Sequence, residues 1–293
     1  MRAARLLAVT AAAAPLACGL VVGCADVISA DFSGAKLRED GGEDTGPTFG
    51  DAGRDGAVDP STVAPLVLWV AADRGVELAD AGPDAARVGV WRDLSDAGHD
   101  LTPRTSLRAP DVAPVGPRGS PAVVFTAARR SYLECPKWLG PGGTVLSAFW
   151  VTRGNAHSLL RFHSGSDQNR LYAPWDTSVW FGGARHVQVV VSGELWPQMP
   201  LPELGAWDMA GFTYQAQQSA GLRTYRMGAL LDQMDTAAAM LPKAPFFMGG
   251  IDTDSQTNLF SDAAVLEVLL YAASLNDAQR RSVETYLRRK WDF

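Results

Sequence analysis

FSDAAVLEVLLYAASLNDAQRRSVETYLRRKWDF, residues 260–293, closes the chain and carries two periods in succession. Val265 to Tyr271 is a strand-like apolar run, and beyond it the apolar residues recur every three to four positions. Asn276 sits where a helix would be capped, with Gln279 three residues on, the spacing of a capping box. Asp277 stands in the first turn and Arg288, Arg289 and Lys290 in the last, which suits the helix dipole. Val283, Tyr286, Leu287 and Trp291 fall on one face. A lone helix with one apolar stripe must bury it against another layer. The segment therefore reads as a packing element laid on strands, with its basic residues solvated on the far side.

Upstream, strands dominate. Leu66–Val70 and Val88–Trp91 are short buried-strand runs, the second followed by the turn residues Asp93 to Gly98. Ala122–Phe125 is another, with Tyr132–Cys135 expected as its hairpin partner. Thr144–Thr152, Ser158–Phe162, Val187–Val191 and Asp208–Tyr214 alternate, and residues 222–230 read as a hairpin turning at Met227-Gly228. Phe246–Gly250 and Val265–Tyr271 complete the set. Many short strands between Gly, Pro and Asp turns predict an all-β, two-sheet jelly-roll sandwich with one C-terminal amphipathic helix packed on it.

The chain has 293 residues, 47% hydrophobic, with a net charge of −6. That balance argues against nucleic acid as a partner, because phosphate binding needs a concentrated Lys/Arg face. The cysteines are Cys18, Cys24 and Cys135. The body holds Cys135 alone, so no internal disulfide is expected, and Cys135 reads as a small buried hydrophobe.

Residues 1–23 have the layout of an export signal: Arg2 and Arg5, then an apolar run from Leu6 to Val22. Leu20-Val21-Val22-Gly23-Cys24 resembles the bacterial lipobox. That resemblance implies cleavage before Cys24 and acylation of its thiol and new N-terminus, a firm lipid anchor. Ala25, rather than Asp, follows the cysteine, which implies the cell outer membrane. The alternative is an uncleaved transmembrane anchor, since the run approaches the ~20 residues that span a bilayer. Residues 24–62 are rich in Gly, Asp, Pro and Thr and read as a disordered tether, leaving 63–293 as the domain.

Three stretches, in order, carry a further resemblance. Trp91-x-Asp93-x-Ser95 with Gly98 is the first, and SPAVVFTAARRSYLEC, from Ser120 to Cys135, the second. The third is the closing strand and helix, with Glu267, Tyr271, Leu275 and Asn276. Residues 63–293 thus resemble the laminin-G-like, concanavalin A-like lectin/glucanase superfamily. The resemblance implies a jelly roll, carbohydrate ligands in many members, and calcium at a loop rim in some.

Enzymatic chemistry is not evident. The superfamily's glucanases use Glu-x-Asp-x-x-Glu, which sets two carboxylates on one sheet face, and no two glutamates beyond the tether have that spacing. There is no Gly-x-Ser-x-Gly, His-Glu-x-x-His or phosphate loop, and His99, His157, His163 and His186 are scattered. Asp252, Asp254 and Asn258 gather oxygen ligands of the kind calcium takes, but without regular calcium-loop spacing, and a polar turn is the favoured reading. No other cofactor is indicated. A sugar site is the sharpest candidate. Asn169, Arg170, Tyr172, Trp175, Asp176 and Trp180 combine rings that stack on sugar CH faces with groups that bond hydroxyls, and Trp196 and Trp207 could extend the groove. Against this, tryptophans in a large sandwich chiefly fill core, as Trp69, Trp91 and Trp150 should. The expectation is non-catalytic carbohydrate recognition. Its alternative is a structural or protein-interaction module of the envelope, and a glycoside hydrolase comes third.

Overall fold

The computed structural model describes residues 58–79, 86–135, 143–155, 159–163, 170–173, 186–187, 190–191, 194–195, 199–200, 205–236, 245–250 and 260–292, all within one unit. In chain order the strands are β1 (Leu66–Ala71), β2 (Val76–Leu78), β3 (Val88–Trp91), β4 (Asp111–Ala113), β5 (Ala122–Phe125), β6 (Leu133–Cys135), β7 (Val145–Asn155), β8 (Leu160–His163) and β9 (Arg170–Ala173). They continue with β10 (His186–Val187), β11 (Val190–Val191), β12 (Glu194–Leu195), β13 (Met199–Pro200), β14 (Trp207–Gln215), β15 (Leu222–Arg226), β16 (Ala229–Met234), β17 (Phe246–Met248) and β18 (Asp262–Tyr271). Helix α1 (Asp277–Trp291) ends the order. The fold is the all-β sandwich that the periodicity predicts, with α1 packed on one face.

The larger sheet has eight strands in the order β16-β15-β14-β7-β18-β5-β4, with β1 also paired to β18. β18 is its axis. One edge runs along β7, while the other serves β5 first and β1 afterwards. The second sheet has six strands, β12-β11-β9-β8-β17-β6. Small antiparallel pairs, β2 with β3 and β10 with β13, lie outside both. Pairing is antiparallel throughout, as in a sandwich whose strands turn back on themselves.

Alternation sorts the apolar residues into two layers. Trp150, Phe212, Val268 and Leu270 of the large sheet meet Leu133, Leu160, Phe246 and Met248 of the small one. The intervening Phe149, Val151, Met209 and Leu269 point the other way, onto Val283, Tyr286, Leu287 and Trp291 of α1. Both faces of the central strands are thus buried, which is why they read as near-continuous hydrophobic runs. Trp69, Trp91, Trp150 and Cys135 are core, as expected.

A bulge keeps this sorting in phase. The β18–β7 register slips between Val265 and Glu267, so Leu266 is an extra residue and Leu266 and Glu267 both face the helix side. With regular alternation Glu267 would point into the layer between the sheets, and Leu269 and Leu270 would exchange faces.

Helix α1 starts as its sequence predicts. Asn276 Oδ1 accepts from Gln279 N at 3.0 Å while Gln279 Oε1 accepts from Asn276 N at 3.1 Å. Its basic residues are not simply solvated. Arg280 is buried against Glu284 at 2.6 Å and stacks over Tyr225, 4.2 Å from the ring centre. Arg280 and Arg288 donate to the carbonyls of Gly228 and Met227, holding the tip of the β15–β16 hairpin. Both tip residues have positive φ, 46° and 77°, the conformation a tight two-residue hairpin turn requires.

One expected pairing fails. Ala122–Phe125 and Tyr132–Cys135 are not hairpin partners: β5 joins the large sheet and β6 the small one. The connection is an arch between layers. Ser131 N donates to Thr126 O at 3.1 Å, Ser131 Oγ accepts from Thr126 N at 2.6 Å, and Arg130 at φ 51° closes the turn. Two short apolar strands with a brief link look alike as hairpin or arch; only the facing sheet distinguishes them.

Candidate functional site

On the outer face of the six-stranded sheet, away from the sandwich core, one row of register positions crosses five strands. Leu133, Cys135, Leu160, Phe246 and Met248 point into the core, so Glu134, Arg161 and Phe247 point outward. Phe247 stands between Glu134 on β6 and Arg161 on β8. Tyr172 on β9 pairs with Arg161, and Val190 on β11 pairs with Tyr172. Position 163 pairs with position 170 one step along, bringing His163 and Arg170 into neighbouring places of the same parity.

The described side chains of this row form an aromatic group beside charge. Tyr132, just before β6, lies 6.2 Å from Phe247 and 6.4 Å from Phe260, centre to centre and tilted in both cases. Phe247 and Glu134 are half-buried, whereas Tyr132 is buried and Arg161 is wholly so. A buried guanidinium keeps its charge, so Arg161 fixes a positive centre under the face. The free side of β6 is closed by residues 101–108: Thr102 and Glu134 exchange backbone hydrogen bonds of 2.9 Å each, and Tyr132 N donates to Arg108 O at 3.0 Å.

Of the residues singled out in the sequence, Arg170 and Tyr172 are placed by backbone on β9, at positions that pair with His163 and Arg161. Asn169, Trp175, Asp176, Trp180 and Trp196 lie outside the described residues, as do Asp252, Asp254, Asn258 and Cys24. Trp207 does not extend a groove there. It lies on the large sheet's helix side, with the Arg153 guanidinium 5.1 Å above its ring. Among the described residues no three His, Cys, Asp or Glu side chains converge as metal ligands. Sequence reasoning missed Arg161, Phe247 and Tyr132, whose only signal was a charged or aromatic residue at an outward position of a short strand.

The Trp-x-Asp-x-Ser segment forms a turn, as its composition suggests. Asp93 Oδ1 accepts from Trp69 N at 2.8 Å and Ser95 N at 2.9 Å, and Oδ2 from Ser95 Oγ and His99 N at 2.8 Å each. The carboxylate ties the turn to β1.

Glu267, the polar break in the closing strand, has a structural role. Fully buried, it accepts from Trp69 Nε1 at 2.6 Å, Tyr286 Oη at 2.8 Å and Trp291 Nε1 at 2.7 Å. Lys290 Nζ lies 3.0 Å from it and 2.9 Å from Asp73. Burial, and then the negative charge of Glu267, push the Tyr286 phenol well above its usual range, so it stays a donor. Arg74 caps the cluster, 4.5 Å over the Trp69 ring. These contacts bind α1 to the sheet.

No protein family and no curated protein matches the chain. Among solved structures, a GH54 α-L-arabinofuranosidase soaked with a cyclic sulfate inhibitor is similar over 78% of this chain and 65% of its own, at 11% identity and a TM-score of 0.58. A mutant GH54 α-L-arabinofuranosidase soaked with 4-nitrophenyl α-L-arabinofuranoside is similar over 78% and 60%, at 11% identity and 0.54. The matches span less than two thirds of those chains. At that identity they show a shared β-sandwich fold.

Proposed function

We propose that residues 63–293 form a non-catalytic carbohydrate-recognition domain of the laminin-G-like, concanavalin A-like kind, carried by a lipid-anchored protein of the outer membrane. The observation that carries this reading is the outward row Glu134–Phe247–Arg161 on the six-stranded sheet, whose backbone register continues to position 172 on β9. The half-buried Phe247 ring offers a stacking face for a sugar ring, the half-buried Glu134 carboxylate beside it supplies acceptors for hydroxyls, and the wholly buried Arg161 adds positive charge beneath the face. Arg170, two residues before Tyr172 on β9, and Asn169, Trp175, Asp176 and Trp180 belong to the same stretch of sequence and are its candidate sugar contacts. The non-catalytic part rests on the sequence, which lacks the paired-carboxylate strand motif. Anchoring rests on the lipobox-like residues ending at Cys24, and a calcium ion at Asp252, Asp254 and Asn258 would be an accessory.

The test is a glycan array probed with the full chain, with and without calcium, followed by titration of any hit against Phe247→Ala and Glu134→Gln. About tenfold weaker binding by both variants, at unchanged melting temperature, is expected for groups at the centre of a site. A binder whose affinity neither change alters places the sugar elsewhere, and no binding to any glycan leaves the envelope interaction module as the better reading. Fatty-acid labelling that disappears in Cys24→Ser tests the anchor separately.

A further inference from the structure

In a chain of net charge −6, arginines concentrate at one place the glycan reading does not use. Arg104 precedes and Arg108 ends the helical turn Ser106–Arg108, and Arg129 and Arg130 end the turn that begins at Ala127. The two turns touch: Arg108 Nη1 reaches Arg129 O at 3.5 Å. Arg87 joins them from β3's approach, its Nη1 donating to Ser106 O at 3.2 Å. At the tip Leu107 is 76% exposed, the most exposed large apolar side chain described.

We infer that this surface, Arg87, Arg104, Leu107, Arg108, Arg129 and Arg130, docks on a bilayer bearing anionic phospholipid headgroups. Asp111 takes up part of its charge, holding Arg129 from both guanidinium nitrogens. Asp262 is turned to its own backbone task, accepting from Ala127 N at 2.7 Å. The gathered guanidinium charge is complementary to a negative surface, and guanidinium suits phosphate better than ammonium does, because its planar fork donates two parallel hydrogen bonds. The exposed leucine decides between polyanions. A soluble acidic saccharide has no use for it, whereas a bilayer offers the boundary between headgroups and acyl chains, where an apolar tip ringed by arginine is stable. The frame is rigid, fixed by the Thr102–Glu134 bonds and by Tyr132 N on Arg108 O, so docking orders little new chain. The inference rests on this surface and needs neither the sugar site nor the acylation of Cys24.

The experiment is hydrogen exchange on the full chain in vesicles of phosphatidylcholine, alone or mixed with phosphatidylglycerol. Amides of residues 104–108 and 127–130 should exchange about fivefold more slowly with the anionic lipid, an effect that raised salt removes. The variant Arg104→Glu with Leu107→Ser, both exposed positions, should lose the protection while melting as wild type does. Equal exchange in the two vesicle types overturns the inference, as does protection that survives in the variant. Equal protection by soluble polygalacturonate, without anionic lipid, overturns the bilayer and reassigns the surface to an acidic polysaccharide.

Discussion

Glu267 illustrates how one residue is read differently in sequence and in space. In the chain it interrupts an apolar strand, and a surface position would be the simplest account. In the fold it is wholly buried, and indoles, a phenol and an ammonium converge on its two oxygens. Replacing it by Gln removes the charge that Lys290 faces and turns an amide donor toward other donors. Breaking a buried ion pair on one side costs about 3–5 kcal/mol, so Glu267→Gln should melt roughly 6–20 °C lower by calorimetry. A loss of less than a degree would mean that Lys290 finds water or Asp73 sufficient. Glu284 gives a pH signature. Burial raises its pKa above 4.5, and Arg280 only partly offsets this. A carboxyl raised in the folded state binds more protons there than in the unfolded chain. Its contribution is therefore full below 4.5 and declines as pH rises through the raised folded value. The melting temperature of wild type minus that of Glu284→Gln should fall across that window; a rising difference would show that the Arg280 ion pair outweighs desolvation.

At the scale of elements, the ends and apolar stripe of the helix were legible, while the contacts of Arg280 and Arg288 and the arch were not. The cap, the dipole-matched ends and the apolar stripe of α1 are local, so they were visible in residues 276–291. Asn276→Ala should cost about 1 kcal/mol, the usual worth of a side-chain cap, seen as a shift in urea midpoint with unchanged slope. A changed slope would mean instead that α1 detaches separately. The Met227-Gly228 hairpin was legible for the same local reason. The link from β5 to β6 was not, because Thr126 to Ser131 can serve a hairpin or an arch; the choice depends on Phe125 joining Ala263 of β18 and Cys135 joining Phe246 of β17. The bulge at Leu266 was equally silent, since a phase slip inside an apolar run leaves its composition unchanged.

At the scale of the molecule, the sandwich carries two apolar layers, and among the described residues α1 covers the outer one. Ending the chain after Leu275 would expose Phe149, Val151, Met209, Leu266 and Leu269 together. Such a surface marks an aggregation-prone or loosely packed protein. The truncated chain should bind the dye ANS and lose its cooperative melting transition. A truncated protein that stays monomeric and melts sharply would mean that the outer layer contributes little. The same scale accounts for the candidate site. Glu134, Arg161, Phe247 and Tyr172 come from four separated segments, and antiparallel register alone makes them neighbours. The arginine surface likewise joins residue 87 to turns at 104–108 and 127–130.

By itself the sequence determined the period of each segment, and with it the all-β class, most strands, the hairpin tip and the capped closing helix, because these depend on neighbours a few residues apart. Which sheet each strand joins, where the phase slips, which carboxylate is buried and which outward residues share a row were decided only in the folded molecule, because each depends on contacts between residues far apart in the chain.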